Sequence, residues 1–240
     1  MGWGTGARVS QTSEADLVQS ERRFMGGVYN WMILGLALTG GTAWIVATTP
    51  AILQAIMPFF LPLIFAQLGL VLLLGFLITK MSPMVAGLTF LGYSLLTGVT
   101  FSSIFLAYQI GSIANVFLLC AVMFGGLSLY GTVTKRNLSA WGGFLFMGLF
   151  GLIGAMLLNF FLKSPGLDFV ISAVAVVVFA GLTAYDTQKL RLIHRQAVTE
   201  GGIGVDSPVM RKVAIFGALT LYLDFINLFL HLLHFLGKKR

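Results

Sequence analysis

Long runs of apolar residues, separated by short polar segments, dominate this chain. Seven runs approach or exceed the roughly 20 residues that an α-helix needs to cross about 30 Å of hydrocarbon. They cover residues 28–49, 59–79, 84–107, 113–133, 141–162, 169–188 and 213–236. The pattern predicts an all-α integral membrane protein, a bundle of seven transmembrane helices.

Composition supports this class, since 58% of the 240 residues are hydrophobic and 10% are charged. We expect a single transmembrane domain over residues 28–237. It follows a polar cytoplasmic segment, residues 1–27, and precedes a basic tail, residues 238–240. The glycines and the proline within residues 189–212 predict a flexible loop between the last two helices.

The basic residues predict the orientation of the helices. If the N-terminus is cytoplasmic, eleven of the fifteen Lys and Arg residues fall on the cytoplasmic side, as positive-inside topology requires. The tail, residues 238–240, then lies outside against this tendency, and a re-entrant last segment is the alternative. Because that segment contains no proline, we favour seven full crossings. The net charge of +7 suits a surface of anionic lipid and is poor evidence for nucleic-acid binding.

The last apolar segment carries a stripe of polar side chains. At about 100° per residue, Asp224, Asn227, His231 and His234 share one helix face. An ionisable group that faces lipid costs a few kcal/mol or more, so the stripe should face the bundle interior or a wet cavity. Asn227 and His231 are therefore candidate pore or cation contacts.

Few other residues in the sequence indicate a chemical function. Asp186 ends the sixth apolar segment, where an ion pair at the interface with a nearby cation would also explain it. His231 and His234 lack a third neighbouring histidine or a cysteine cluster, so we predict no structural metal site. The sequence contains no phosphate-binding or dinucleotide-binding motif, and we expect neither a cofactor nor an enzyme activity.

Two short segments carry a family resemblance. Residues 185–188 read Tyr-Asp-Thr-Gln, and residues 221–229 read Leu-Tyr-Leu-Asp-Phe-Ile-Asn-Leu-Phe. They resemble the hallmark segments of the Bax inhibitor-1/YccA family, also called the transmembrane Bax-inhibitor-motif family. The resemblance implies a bundle in which the last helix is central, surrounded by the other six. It also implies a calcium leak governed by pH through two facing aspartates, carried over to Asp186 and Asp224.

Such a pair agrees with elementary electrostatics, because two neighbouring carboxyls in a poorly hydrated site cannot both ionise cheaply and share a proton instead. Counting along straight helices, however, places Asp186 near the inner membrane boundary and Asp224 about mid-membrane. Pairing then requires tilted helices, or a last helix that begins outside the hydrocarbon.

The sequence departs from the family pattern at two positions. Where some members carry an acidic residue in the second helix, this chain has Gln67, a candidate cation contact without charge. The inner end of that helix, often rich in arginine, holds Lys80, a candidate counter-cation for the aspartates.

Three functions follow from these expectations. The first is a pH-sensitive passive leak of Ca²⁺ or other cations in a bacterial-type inner membrane. The second is a non-conducting adaptor, surrounded by lipid, that binds a membrane protease or another membrane protein and modulates stress or cell-death pathways. The third is a proton-coupled transporter, which would require discontinuous paired helices that the sequence does not indicate.

Overall fold

The computed structural model describes residues 14–240, which form a bundle of helices. In chain order the helices are α1 (Glu14–Thr48), α2 (Pro50–Ile56), α3 (Phe60–Leu77), α4 (Pro83–Ala107), α5 (Ile110–Val133), α6 (Ser139–Leu162), α7 (Pro165–Thr199) and α8 (Pro208–Leu236). A short 3₁₀ turn joins α2 to α3, so that these two form one span. Seven segments are long and apolar enough to cross a membrane, which confirms the predicted fold class.

Local sequence determines where three of the helices begin. In α4, α7 and α8 the first residue is a proline preceded by a serine. The hydroxyl oxygens of Ser82, Ser164 and Ser207 accept hydrogen bonds from backbone N–H groups three residues further on. These caps satisfy donors that have no partner within the helix, and proline at the first position lacks the donor altogether.

Helix α8 lies at the centre of the bundle, as predicted. It packs mainly against α1, α4, α5 and α7, whereas α3 packs on α4 and α6 packs on α7. The apolar stretch of α8 is 61% buried, compared with 6% for the span that contains α3. Its main neighbours are thus four helices rather than the six that the resemblance implied.

The C-terminal tail shows that α8 crosses the bundle completely. The backbone N–H of Gln109 donates to Lys238 O, and that of Arg240 donates to Ala107 O, both at 3.0 Å. The tail therefore lies beside the connection between α4 and α5, at the end of the bundle opposite the connection between α7 and α8. The re-entrant alternative is wrong, and backbone hydrogen bonds hold the basic tail at this end.

The predicted loop over residues 189–212 is also wrong. Helix α7 continues to Thr199 and α8 begins at Pro208, which leaves residues 200–207 as the connection. In the extension of α7, Leu190 is buried, and His194 stacks on Phe24 of α1 with ring centres 4.9 Å apart. The extension packs against α1, whose first turns include residues 14–27 of the predicted polar segment. Residues 1–13 lie outside the described residues.

Candidate functional site

Asp186 of α7 and Asp224 of α8 face each other within hydrogen-bonding reach. Both residues are buried, with 6% and 4% of their surface exposed. A carboxylate can only accept hydrogen bonds, so a hydrogen bond between two carboxyl groups requires a proton on one of them. The structure thus brings together the two residues on which the family resemblance depends.

The length of the two helices explains how the pair forms. Because α7 runs on to Thr199, Asp186 lies well inside a helix of 35 residues and not at its end. Because α8 begins at Pro208, Asp224 is likewise well inside its helix. The helices approach closely at Gly217, where an added Cβ would come within 2.7 Å of the Leu190 side chain. The difference in depth inferred from the sequence therefore disappears.

The pair opens onto a cavity of about 530 Å³ between α3, α6, α7 and α8. Its lining is mostly apolar, and the polar exceptions are Asp186, Lys189, Thr220, Asp224 and Asn227. Asp224 Oδ2 is buried and has no hydrogen-bond partner among the described residues. The site therefore holds a buried acid with one acceptor oxygen that can take a proton.

Lys189 is the cation that the structure places beside the pair. It lies one turn after Asp186, lines the same cavity and acts electrostatically on the Asp186 carboxyl. Its Nζ lies 5.6 Å from the centre of the Tyr185 ring. Lys80, the candidate counter-cation, is exposed in the turn after α3 and is not among the described residues that line the cavity. The structure therefore assigns this place to Lys189.

Gln67 is engaged in a different contact. Its Nε2 donates to Thr97 Oγ1 at 3.0 Å, and its Oε1 accepts from Thr100 Oγ1 at 3.1 Å. Both ends of the amide thus bind α4 and attach the peripheral α3 to the bundle. Gln67 is not among the described residues that line the aspartate cavity, and its role as a cation contact stays a prediction.

The other polar residues of α8 lie along two cavities. Asn227 lines the cavity of the aspartate pair, and its Nδ2 donates to Leu223 O at 2.8 Å. His231 is half-buried and stacks on Phe179, with ring centres 6.1 Å apart. It lines a second cavity with His234, and both His231 and Asn227 face protein or cavity as the stripe predicts.

The sequence did not single out Asp168, which His234 Nε2 contacts at 2.7 Å through Asp168 Oδ2. Asp168 lies in the first turn of α7, and His234 lies in the last turn of α8. The contact follows from the antiparallel packing of these helices, which the sequence alone does not specify. Lys189, in contrast, can be identified from the sequence. It is three residues from Asp186, a spacing that places two side chains on one helix face.

Sequence comparisons relate this chain to known proteins. The family model for the inhibitor of apoptosis-promoting Bax1 matches residues 21–240. Inner membrane protein YbhL of Escherichia coli K12 is 48% identical over 220 residues, which cover 90% of this chain and 92% of that protein. A protein of Deinococcus radiodurans is 41% identical over 233 residues and 97% of each chain. YrjE of Lactococcus lactis is 41% identical over 219 residues, 89% of this chain and 90% of its own. The chain therefore belongs to the Bax inhibitor family.

Proposed function

We propose that this protein is a pH-sensitive passive leak channel for Ca²⁺, and for other cations, in a bacterial inner membrane. The observation that carries the proposal is the buried pair of Asp186 and Asp224 at the edge of a cavity. The membrane is inferred from the name of the Escherichia coli relative, an inner membrane protein. The N-terminus is taken as cytoplasmic, as the basic residues predict.

In the closed form the two aspartates share a proton and join α7 to α8. This contact blocks the pathway inside the bundle, beside the cavity that the pair lines. Loss of the shared proton leaves two negative charges in a poorly hydrated site, where like charges repel strongly. The repulsion separates the helices, and Lys189 offsets part of it because it acts on the Asp186 carboxyl.

The cavity supports conduction over a purely structural role for the pair. Buried carboxyls that only fixed helix packing would be expected to have their acceptors satisfied by neighbouring groups. Here Asp224 Oδ2 has no partner among the described residues, and the pair borders about 530 Å³ of space. Carboxylate and amide oxygens such as those of Asp224 and Asn227 are ligands that Ca²⁺ accepts.

The test is calcium flux into liposomes that contain the purified protein, measured from acidic to mildly alkaline pH. We expect flux to rise with pH. Glu200→Gln is the matched control, because it removes an exposed carboxylate next to the end of α7 and should leave the profile unchanged. Flux equal to that of empty liposomes at every pH, from protein with a native helical spectrum, would contradict conduction and favour the adaptor.

A further inference from the structure

A second cavity, of about 370 Å³, lies where α7 begins and α8 ends. We call it the outer cavity, since it lies at the end of the bundle opposite the connection between α7 and α8. Its polar lining consists of Tyr108, Asp168, Ser172, Asn227, His231 and His234. It shares Asn227 and Met156 with the cavity of the aspartate pair, so the two cavities are neighbours.

Residues that line both cavities form the partition between them. Asn227 and Met156 line both cavities, whereas Phe179 lines the first and stacks on His231, which lines the second. Methionine is flexible and adapts readily to a neighbouring group. Asn227 contributes an amide to the partition, and no described residue donates to its Oδ1, which leaves an oxygen that a cation can contact.

The Asp168 carboxylate lies at the opening of the outer cavity, and the His234 side chain covers this carboxylate. Asp168 Oδ2 and His234 Nε2 lie 2.7 Å apart, with side chains 45% and 37% exposed. Contacts between partly exposed polar side chains contribute little stability, so this contact can open readily. The titratable side chains that face the cavity are Asp168, His231, His234 and Tyr108. Burial and the Asp168 carboxylate raise the pKa of Tyr108, which keeps that hydroxyl neutral.

We propose that the outer cavity is the entrance of the same cation pathway. Asp168 attracts the cation, His234 covers Asp168 while the entrance is closed, and Asn227 is the polar step between the two cavities. An arriving divalent cation competes with His234 for the carboxylate, since Ca²⁺ prefers such oxygens. Conduction through this entrance rests on the proposed function, whereas access to Asn227 from the outer end can be measured without it.

The test labels Asn227→Cys with a cationic, membrane-impermeant thiol reagent added at the outer end. The background is Cys120→Ala, because Cys120 is the one cysteine of the chain. We expect labelling, and we expect His234→Ala to speed it by about two- to fivefold, the effect of losing a weak, partly exposed contact. Adding Asp168→Asn should then remove the advantage of the cationic reagent over an anionic reagent of similar size.

Phe235→Ala is the matched control. Phe235 is in the same helical turn and packs on Phe169, with ring centres 4.9 Å apart, but it is not among the described residues that line the outer cavity. An equal increase in this variant would mean that the helix end frays, and would overturn the role of His234. Absence of labelling in the folded His234→Ala variant would overturn the entrance itself.

Flux measurements on the same variants separate this inference from the proposed function. Calcium flux through the wild type without labelling of Asn227→Cys overturns the entrance and leaves the aspartate gate intact. Labelling as expected with no flux at any pH contradicts the proposed function. The outer cavity is then accessible from outside but is not the entrance of a conducting pathway. Labelling together with faster flux in His234→Ala supports both.

Discussion

The hydroxyl oxygens of Tyr222 in α8 and Thr39 in α1 lie 2.6 Å apart in the centre of the bundle. Thr39 donates its proton to Ser94 O of α4 at 2.9 Å, so Tyr222 must donate to Thr39. Its ring also packs on Phe90 and Tyr93. Since Tyr222 is two residues from Asp224, this contact fixes α8 against α1 and α4 while Asp224 faces α7.

We therefore expect Tyr222→Phe to lower the free energy of unfolding by about 1 kcal/mol, the net contribution of a typical hydrogen bond. Tyr222→Ala should lower it by about 3 to 5 kcal/mol, because it also leaves a cavity. Thermal unfolding in detergent measures both. Tyr130→Phe, at an exposed tyrosine, is the control and should change little. A loss as large in Tyr130→Phe would show that the central contact has no special role.

The aspartate pair predicts an unusual pattern of mutational effects. Asp186→Asn, Asp224→Asn and the double substitution should give similarly flat pH profiles of flux. Each single change removes one of the two carboxylates and the double change removes both, so the repulsion cannot develop as pH rises. Such non-additivity is typical of residues that act as one unit. Single variants that keep most of the pH response, with a double variant that loses their sum, would contradict the gate.

The position of Lys189 predicts a second effect on the same profile. Lys189→Gln should move the rise in flux to higher pH by less than about one unit, because the charged form of Asp186 loses a nearby cation that is itself exposed. Lys80→Gln is the matched control and should leave the profile in place. An equal shift in both variants would indicate a general effect of surface charge.

We predict that the contacts of Glu21 stabilise the extended end of the bundle. It is buried and forms ion pairs with Arg191 and with Arg195, the second at 2.8 Å, joining α1 to the extension of α7. Glu21→Ala should lower the free energy of unfolding by roughly 1 to 3 kcal/mol, because two arginines lose their charged partner. Protease cleavage within residues 200–207 should also become faster.

The exposed Glu14, in the first turn of α1, provides the control for that change. Glu14→Ala removes the same charge from the same helix and should leave both measurements unchanged. If thermal unfolding of Glu21→Ala matched that of the wild type, the ion pairs would be too solvated to contribute stability.

The sequence by itself determined the class of fold and indicated a protected position for Asp224. A run of about 20 apolar residues can adopt few structures in a membrane, since every backbone donor and acceptor must be satisfied within the segment. A carboxyl such as that of Asp224 is costly in hydrocarbon, so its presence within such a run already indicates a protected site. Both inferences depend on local composition and on the period of a single helix.

Only the tertiary structure decided which groups meet. It placed Lys189 rather than Lys80 beside the aspartates, joined Gln67 to α4, and brought His234 to Asp168. It also extended α7 and bound the C-terminal tail to the connection between α4 and α5. Lipid and a protein neighbour are equally apolar, so hydrophobic patterning does not specify which face of a transmembrane helix meets which partner. That choice depends on close packing between segments distant in the chain.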